Sequence, residues 1–218
     1  MQKFILLGAS RGLGWETFIQ LAAKNPENKF LLSSRKIAGK ESEVSAISQN
    51  SRCLAQDFSR PIQSEYLSEL KRFDGDCLVY FAGGGPYGIF QRKKWSDHEW
   101  ALRTSFLYPA ELVHSILANR NEWAGLKKIV LIGSAIAEAA GDPQAASYAA
   151  AKHALKGLVD SVNAEQKPDP SVLLFSPGYM QTDLLPAKSG SQAALLAESP
   201  TVVAERLIHF IEKTERKS

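Results

Sequence analysis

The sequence predicts an α/β domain: one doubly wound parallel sheet with helices on both faces. Three observations carry this. Short, continuous apolar runs recur at Phe4–Leu7, Phe30–Leu32, Cys77–Ala82, Ile129–Ile132 and Val172–Phe175, and unbroken apolar strands belong to sheets buried on both faces. Between them lie segments with apolar residues at helical spacing. Strand and helix alternate from end to end, the pattern of right-handed crossover units.

In chain order, Phe4–Leu7 leads directly into Gly8-Ala9-Ser10-Arg11-Gly12-Leu13-Gly14. Trp15, Phe18, Ile19 and Ala22 then mark a helix, which Pro26 ends because proline lacks the backbone donor. Lys29–Ser34 reads as the second strand, with Arg35 just past its end. Glu41–Gln49 is a modest helix, and Cys53–Ala55 a weak third strand followed by Asp57 and Phe58. Ile62, Tyr66, Leu67 and Leu70 set a helix that reaches Phe73. Cys77–Ala82 is the fourth strand and runs into Gly83-Gly84-Gly85-Pro86. After a loop at 86–95, Ser96 or Asp97 caps a long helix to about Asn119, irregular near Pro109. Lys128–Gly133 is the fifth strand, with Ser134 directly behind it, and 135–146 is a small-residue loop. A helix from Ser147 to about Gln166 and a sixth strand at Val172–Phe175 follow, the latter ending in Ser176-Pro177-Gly178. An amphipathic helix, Thr201–Lys213, closes the chain.

With 218 residues, 44% hydrophobic and 22% charged, the chain has ordinary globular composition and reads as a single domain over 1–218. The formal net charge of +3 and short clusters such as Arg92-Lys93-Lys94 exclude a dedicated nucleic-acid binder, which needs a broad basic face. Cys53 and Cys77 sit in apolar runs and suit core packing rather than a disulfide framework or a metal site. No apolar run reaches the ~20 residues needed to span a bilayer, and no signal peptide precedes the first strand. A cytoplasmic protein with no membrane partner is expected.

In an open parallel sheet, ligands bind outside the carboxyl ends of the strands. Those ends carry Gly8-x-x-x-Gly12-x-Gly14, Arg35, Asp57, Ala82-Gly83-Gly84, Ser134 and Pro177-Gly178. Glycines in the first turn allow a pyrophosphate close approach to N–H groups at a helix N-terminus. Arg11 in that turn and Arg35 beyond the second strand could accept a 2′-phosphate; no acidic residue stands there for a ribose hydroxyl. That arrangement favours NADP(H) over NAD(H). Tyr148 and Lys152, four apart on a predicted helix, share one face. An ammonium beside a phenol is expected to draw its pKa down from ~10.

Together these landmarks resemble the short-chain dehydrogenase/reductase family over residues 1 to about 183. The resemblance implies a Rossmann fold and hydride transfer between a nicotinamide and a ketone, aldehyde or alcohol. It implies that Tyr148 is the acid/base, that Lys152 supports it and holds the ribose, and that Ser134 holds the substrate oxygen. Asp57 and Phe58 would flank the adenine. Gly8, Ser10, Arg11, Gly12, Leu13, Gly14, Ala82, Gly83 and Gly84 would pass along the cofactor. Pro177, Gly178, Met180 and Thr182 would surround the nicotinamide. Homodimers are common in the family, through helices here at 97–119 and 147–166.

The sequence departs from the family in three places. Tyr80-Phe81 replaces the usual asparagine pair after strand four. Ser105 stands where an asparagine normally anchors a proton relay. Six strands are expected, without the usual seventh, and the substrate loop at 184–200 is short and rich in small residues. The asparagines lost at Phe81 and Ser105 motivate an alternative, a non-catalytic NADP(H)-binding sensor. Tyr87 and Phe90 could line the substrate site; Trp95 and Trp100 suit core or subunit contacts. His98, His114, His153 and His209 have no partner spacing and are expected to be structural or exposed.

Overall fold

The computed structural model describes residues 1–138, 143–165, 169–182 and 196–213. Six parallel strands form one sheet in the order β3-β2-β1-β4-β5-β6. They are β1 (Lys3–Leu7), β2 (Lys29–Ser34), β3 (Ser51–Ala55), β4 (Cys77–Tyr80), β5 (Lys128–Ile132) and β6 (Ser171–Phe175). The helices are α1 (Gly12–Lys24), α2 (Glu41–Ile47), α3 (Ser64–Phe73), α4 (Trp95–Leu102), α5 (Tyr108–Ala118), α6 (Ala146–Glu165) and α7 (Pro200–Lys213). Most of the predicted substrate loop, and the last five residues, lie outside the described residues.

Strand side chains alternate faces, and β1 shows what this does. Phe4 and Leu6 join one core with Phe18 and Leu21 of α1, Val44 of α2 and Leu207 of α7. Ile5 and Leu7 join the other with Leu70 of α3, Leu112 of α5 and Leu155 of α6. The sheet is therefore wound on both sides, as its continuous apolar strands require. The order turns at β1, from which the chain runs outward through β2 and β3 and later through β4, β5 and β6. This is the switch point beside which such sheets bind ligands.

The long helix expected over 97–119 is broken, and earlier than its proline. A π-turn, Arg103–Leu107, separates α4 from α5. Pro109 has no N–H to give the carbonyl of Ser105, so the regular ladder cannot run through this turn. The Tyr80 hydroxyl donates to the Thr104 carbonyl at 2.7 Å, tying the centre of the sheet to the break. Rings of Tyr80, Phe58 and Tyr108 pack around that bond. Tyr80, which precedes the Phe81 replacement, thus anchors the end of β4 from within the core.

Candidate active site

The glycine turn is set by how close two strands come. Gly8 has φ +94°, and a Cβ there would lie 2.5 Å from the Ala82 backbone nitrogen. No other residue lets β1 and β4 leave the sheet side by side at this distance. The Gly8 N–H donates to Ser33 at 2.7 Å, and Phe81 N–H to Leu7 at 2.7 Å, so both neighbouring strands brace the turn. α1 begins at Gly12, and its first N–H groups face the end of the sheet.

These ends enclose a cleft of about 530 Å³. One end is formed by Gly8, Ser10, Arg11, Gly12, Leu13 and Gly14, with Arg35, Asp57 and Phe58 beyond them. Ala82 and Gly83 form its floor, and Ser134, Tyr148 and Lys152 stand at the other end. Pro177, Gly178, Met180 and Thr182 close it from the β6 side. Thr182 reaches over the glycine turn, its methyl 3.5 Å from where a Gly12 side chain would begin. Residues not read as site residues also line it, among them Ser34, Lys36, Ser59, Thr104 and Trp100, the last expected at a core or subunit contact. Ser34 could have been found from its place at the end of a strand beside Arg35. Trp100 and Thr104 could not, because the π-turn decides which way α4 faces.

Asp57 is held by Ser59, whose backbone N–H and hydroxyl donate to the same carboxylate oxygen at 2.9 and 2.7 Å. Burial alone would raise its pKa. The Ser59 bonds and the guanidinium groups of Arg35 and Arg60 outweigh that and hold it below the usual carboxylate range. Ser34, next to Arg35, has a buried hydroxyl with no hydrogen-bond partner among the described residues. A buried donor without an acceptor costs about 1–3 kcal/mol, so this part of the cleft suits a ligand rich in acceptors.

At the far end the electrostatics differ from the expectation. Burial pushes the Tyr148 phenol up, and the nearby Ser134 hydroxyl pulls it only partly back. Lys152 does not bring it down. Its Nζ lies 5.5 Å from the Tyr148 ring centroid and donates to the Ile132 carbonyl at 2.6 Å. Burial depresses Lys152 itself to about 8. Desolvation therefore outweighs the pull of Ser134, and Tyr148 keeps its proton across neutral pH.

Ser105 and Gly84 sit beside this end rather than in it. The Ser105 hydroxyl donates to the Gly84 carbonyl at 3.1 Å and accepts from the Gly84 N–H at 3.0 Å. A hydroxyl has one proton, and this one is spent on Gly84. Ser105 thus clamps the segment after β4. Gly84, expected along the cofactor, is buried under that clamp and does not line the cleft. Gly83 beside it does, with Ser105 Oγ and Lys152 Nζ each 3.3 Å from where its side chain would begin.

Tyr87 and Phe90 are exposed and do not line the cleft. His114, His153 and His209 are exposed as expected, whereas His98 is buried and hydrogen-bonded. Among the described residues no cluster could hold a metal ion, and no helix is long and apolar enough to cross a membrane.

A family model described as short chain dehydrogenase matches residues 2–193. Several solved structures share the fold. An alcohol dehydrogenase from the archaeon Thermococcus sibiricus, complexed with 5-hydroxy-NADP, is 20% identical with a TM-score of 0.77, over 97% of this chain and 91% of that one. A short-chain dehydrogenase from Sphingobium yanoikuyae in complex with NADPH is 18% identical with a TM-score of 0.75, over 97% and 85%. The bulky-bulky ketone specific alcohol dehydrogenase from Comamonas testosteroni is 20% identical with a TM-score of 0.73, over 98% and 84%. No curated protein matches the sequence with significance.

Proposed function

This chain belongs to the short-chain dehydrogenase family of oxidoreductases, and from that premise we propose that it is an NADPH-dependent carbonyl reductase acting on a small ketone or aldehyde. The observation that carries the reading is the meeting of Ser134, Tyr148 and Lys152 at one end of a cleft whose other end is the glycine turn. The cleft suits the cofactor. The turn offers backbone N–H groups to a pyrophosphate, while the Ser34 hydroxyl, Arg35 and Lys36 offer donors to a 2′-phosphate. Bound NADPH would supply the hydride.

The chain's own groups do the rest. Ser134 donates to the carbonyl oxygen of the substrate as charge develops there. Tyr148, still protonated at neutral pH, gives that oxygen its proton. Lys152 presents an ammonium from a buried position. Its charge weakens above pH of about 8, so support for the reacting phenol fades on the alkaline side. Following NADPH absorbance with a panel of ketones and aldehydes tests the reading. Tight NADPH binding with no turnover on any of them would favour a dinucleotide sensor instead.

The cofactor preference has its own test. Replacing Arg35→Ala is expected to weaken NADPH by about 10–100-fold, the worth of a charge-assisted bond of about 1.5–3 kcal/mol, and to leave NADH nearly unchanged. Fluorescence titration of both nucleotides measures this, and tighter NADH than NADPH binding by the unaltered protein defeats the assignment.

The protein is further proposed to act as a homodimer through the side carrying α4, α5 and α6. Trp95 is 62% exposed and Leu107 45% exposed on that side, apolar surface that a second copy would cover. Light scattering is expected to give twice the chain mass of 23.9 kDa; a single chain mass at micromolar concentration overturns it.

A further inference from the structure

His98 lies 4% exposed at the start of α4, and Ser147 6% exposed at the start of α6. His98 Nδ1 and Ser147 Oγ are 2.5 Å apart. His98 Nε2 lies 3.1 Å from the Phe90 carbonyl, which can only accept. In the neutral ring the proton is therefore on Nε2, and Nδ1 must accept from the Ser147 hydroxyl. The ring is also gripped by Phe90, with centroids 4.4 Å apart, and by Trp95 at 5.9 Å.

Ser147 immediately precedes Tyr148. Both lie in the first turn of α6, where N–H groups lack intrahelical partners and the helix is easily displaced. Something outside the helix must hold this turn. The segment after β4 does so on one side, where a Cβ on Gly85 would lie 3.0 Å from the Tyr148 Cβ. The same loop is tethered by Gly88 N–H donating to the Gln144 carbonyl at 2.8 Å, just before the helix. His98 completes the arrangement, holding Phe90 of the loop with one nitrogen and Ser147 of the helix with the other.

We propose that His98 and Ser147 are a positioning pair for Tyr148: they set the first turn of α6 and lock it to the loop at 86–92. The proposal rests on the reading of Tyr148 as the proton donor. A turn free to rotate swings the phenol away from Ser134, and a misplacement of about 1 Å can cost about 10²-fold in rate.

The test uses the full chain with Ser147→Ala, which removes one hydroxyl; with His98→Phe, which keeps a ring against Phe90 and Trp95; and with both together. Each single change is expected to lower kcat for carbonyl reduction about tenfold while leaving the NADPH dissociation constant within about twofold. The double change should cost no more than His98→Phe alone, because the residues act as one unit. Tyrosine-labelled NMR should show Tyr148 titrating at higher pH in every variant, since the phenol swings away from Ser134, which lowers it. Unchanged kcat and unchanged titration, even with a lower melting temperature, would overturn the proposal, as would losses that multiply. Absence of carbonyl turnover by the unaltered protein would instead sink the reductase reading. The titration then decides the pair alone, and an unmoved Tyr148 overturns it.

Discussion

Tyr148→Phe is expected to lower carbonyl reduction by about 10²–10⁴-fold, the usual worth of a positioned general acid. The change is clean because phenylalanine keeps the ring and loses only the hydroxyl, with its proton and its contact to Ser134. The ring still packs where Gly85 leaves no room for a side chain, and the aliphatic and charged end of Lys152 still faces it. NADPH affinity should therefore change little, and the loss should appear in kcat. The burial that raises the phenol's pKa fits this role, since a donor must keep its proton until the substrate needs it. Steady-state rates with the best carbonyl found, beside a nucleotide titration, measure both quantities. Undiminished activity in Tyr148→Phe would remove Tyr148 from the mechanism.

Gly8→Ala is expected to damage stability and cofactor binding together. Its φ of +94° is strained for any side chain, and the new Cβ would meet backbone atoms of Ala82 at 2.5 and 2.9 Å. Backbone atoms cannot swing aside as a flexible side chain can, so β1 and β4 must part or the turn must flatten. The strain and the displaced neighbour together cost about 3 kcal/mol or more. At this chain length that corresponds to a fall in melting temperature of about 6–12 °C. NADPH should bind more weakly in the same variant, because the turn presents the N–H groups. Gly157→Ala is the control: nothing lies within 4 Å of the new Cβ, and in a helix interior alanine gains about 0.5–1 kcal/mol. Scanning calorimetry of both variants checks this pair, and a Gly8→Ala protein as stable as the unaltered one contradicts the close approach.

Much of the site was legible because its residues announce themselves locally. The glycine turn lies between an apolar run and a helical repeat. Ser134 follows its strand directly, and Tyr148 and Lys152 keep helical spacing. Once strands are placed, their carboxyl ends can be read in order, and almost every residue read there does line the cleft. Gly84 is the exception. It differs from Gly83 by one position, but the backbone alternates and turns it under Ser105. The histidines show the same limit. Four looked alike in sequence, and only packing separated His98, paired to a serine 49 residues away, from the three at the surface.

The sequence by itself determined the succession of strands and helices, the two-sided burial of the sheet and the residues available at its ligand-binding edge. These depend on periodicity and on single residue types, which are local properties. Tertiary structure alone decided the grip of Ser105 on Gly84, the His98–Ser147 pair and the direction of the Tyr148 shift. Each depends on what surrounds a group once distant segments meet. Spacing predicted that Lys152 would stand near Tyr148, but only the packed core sets how much water both lose, and that loss of water sets the direction of both shifts.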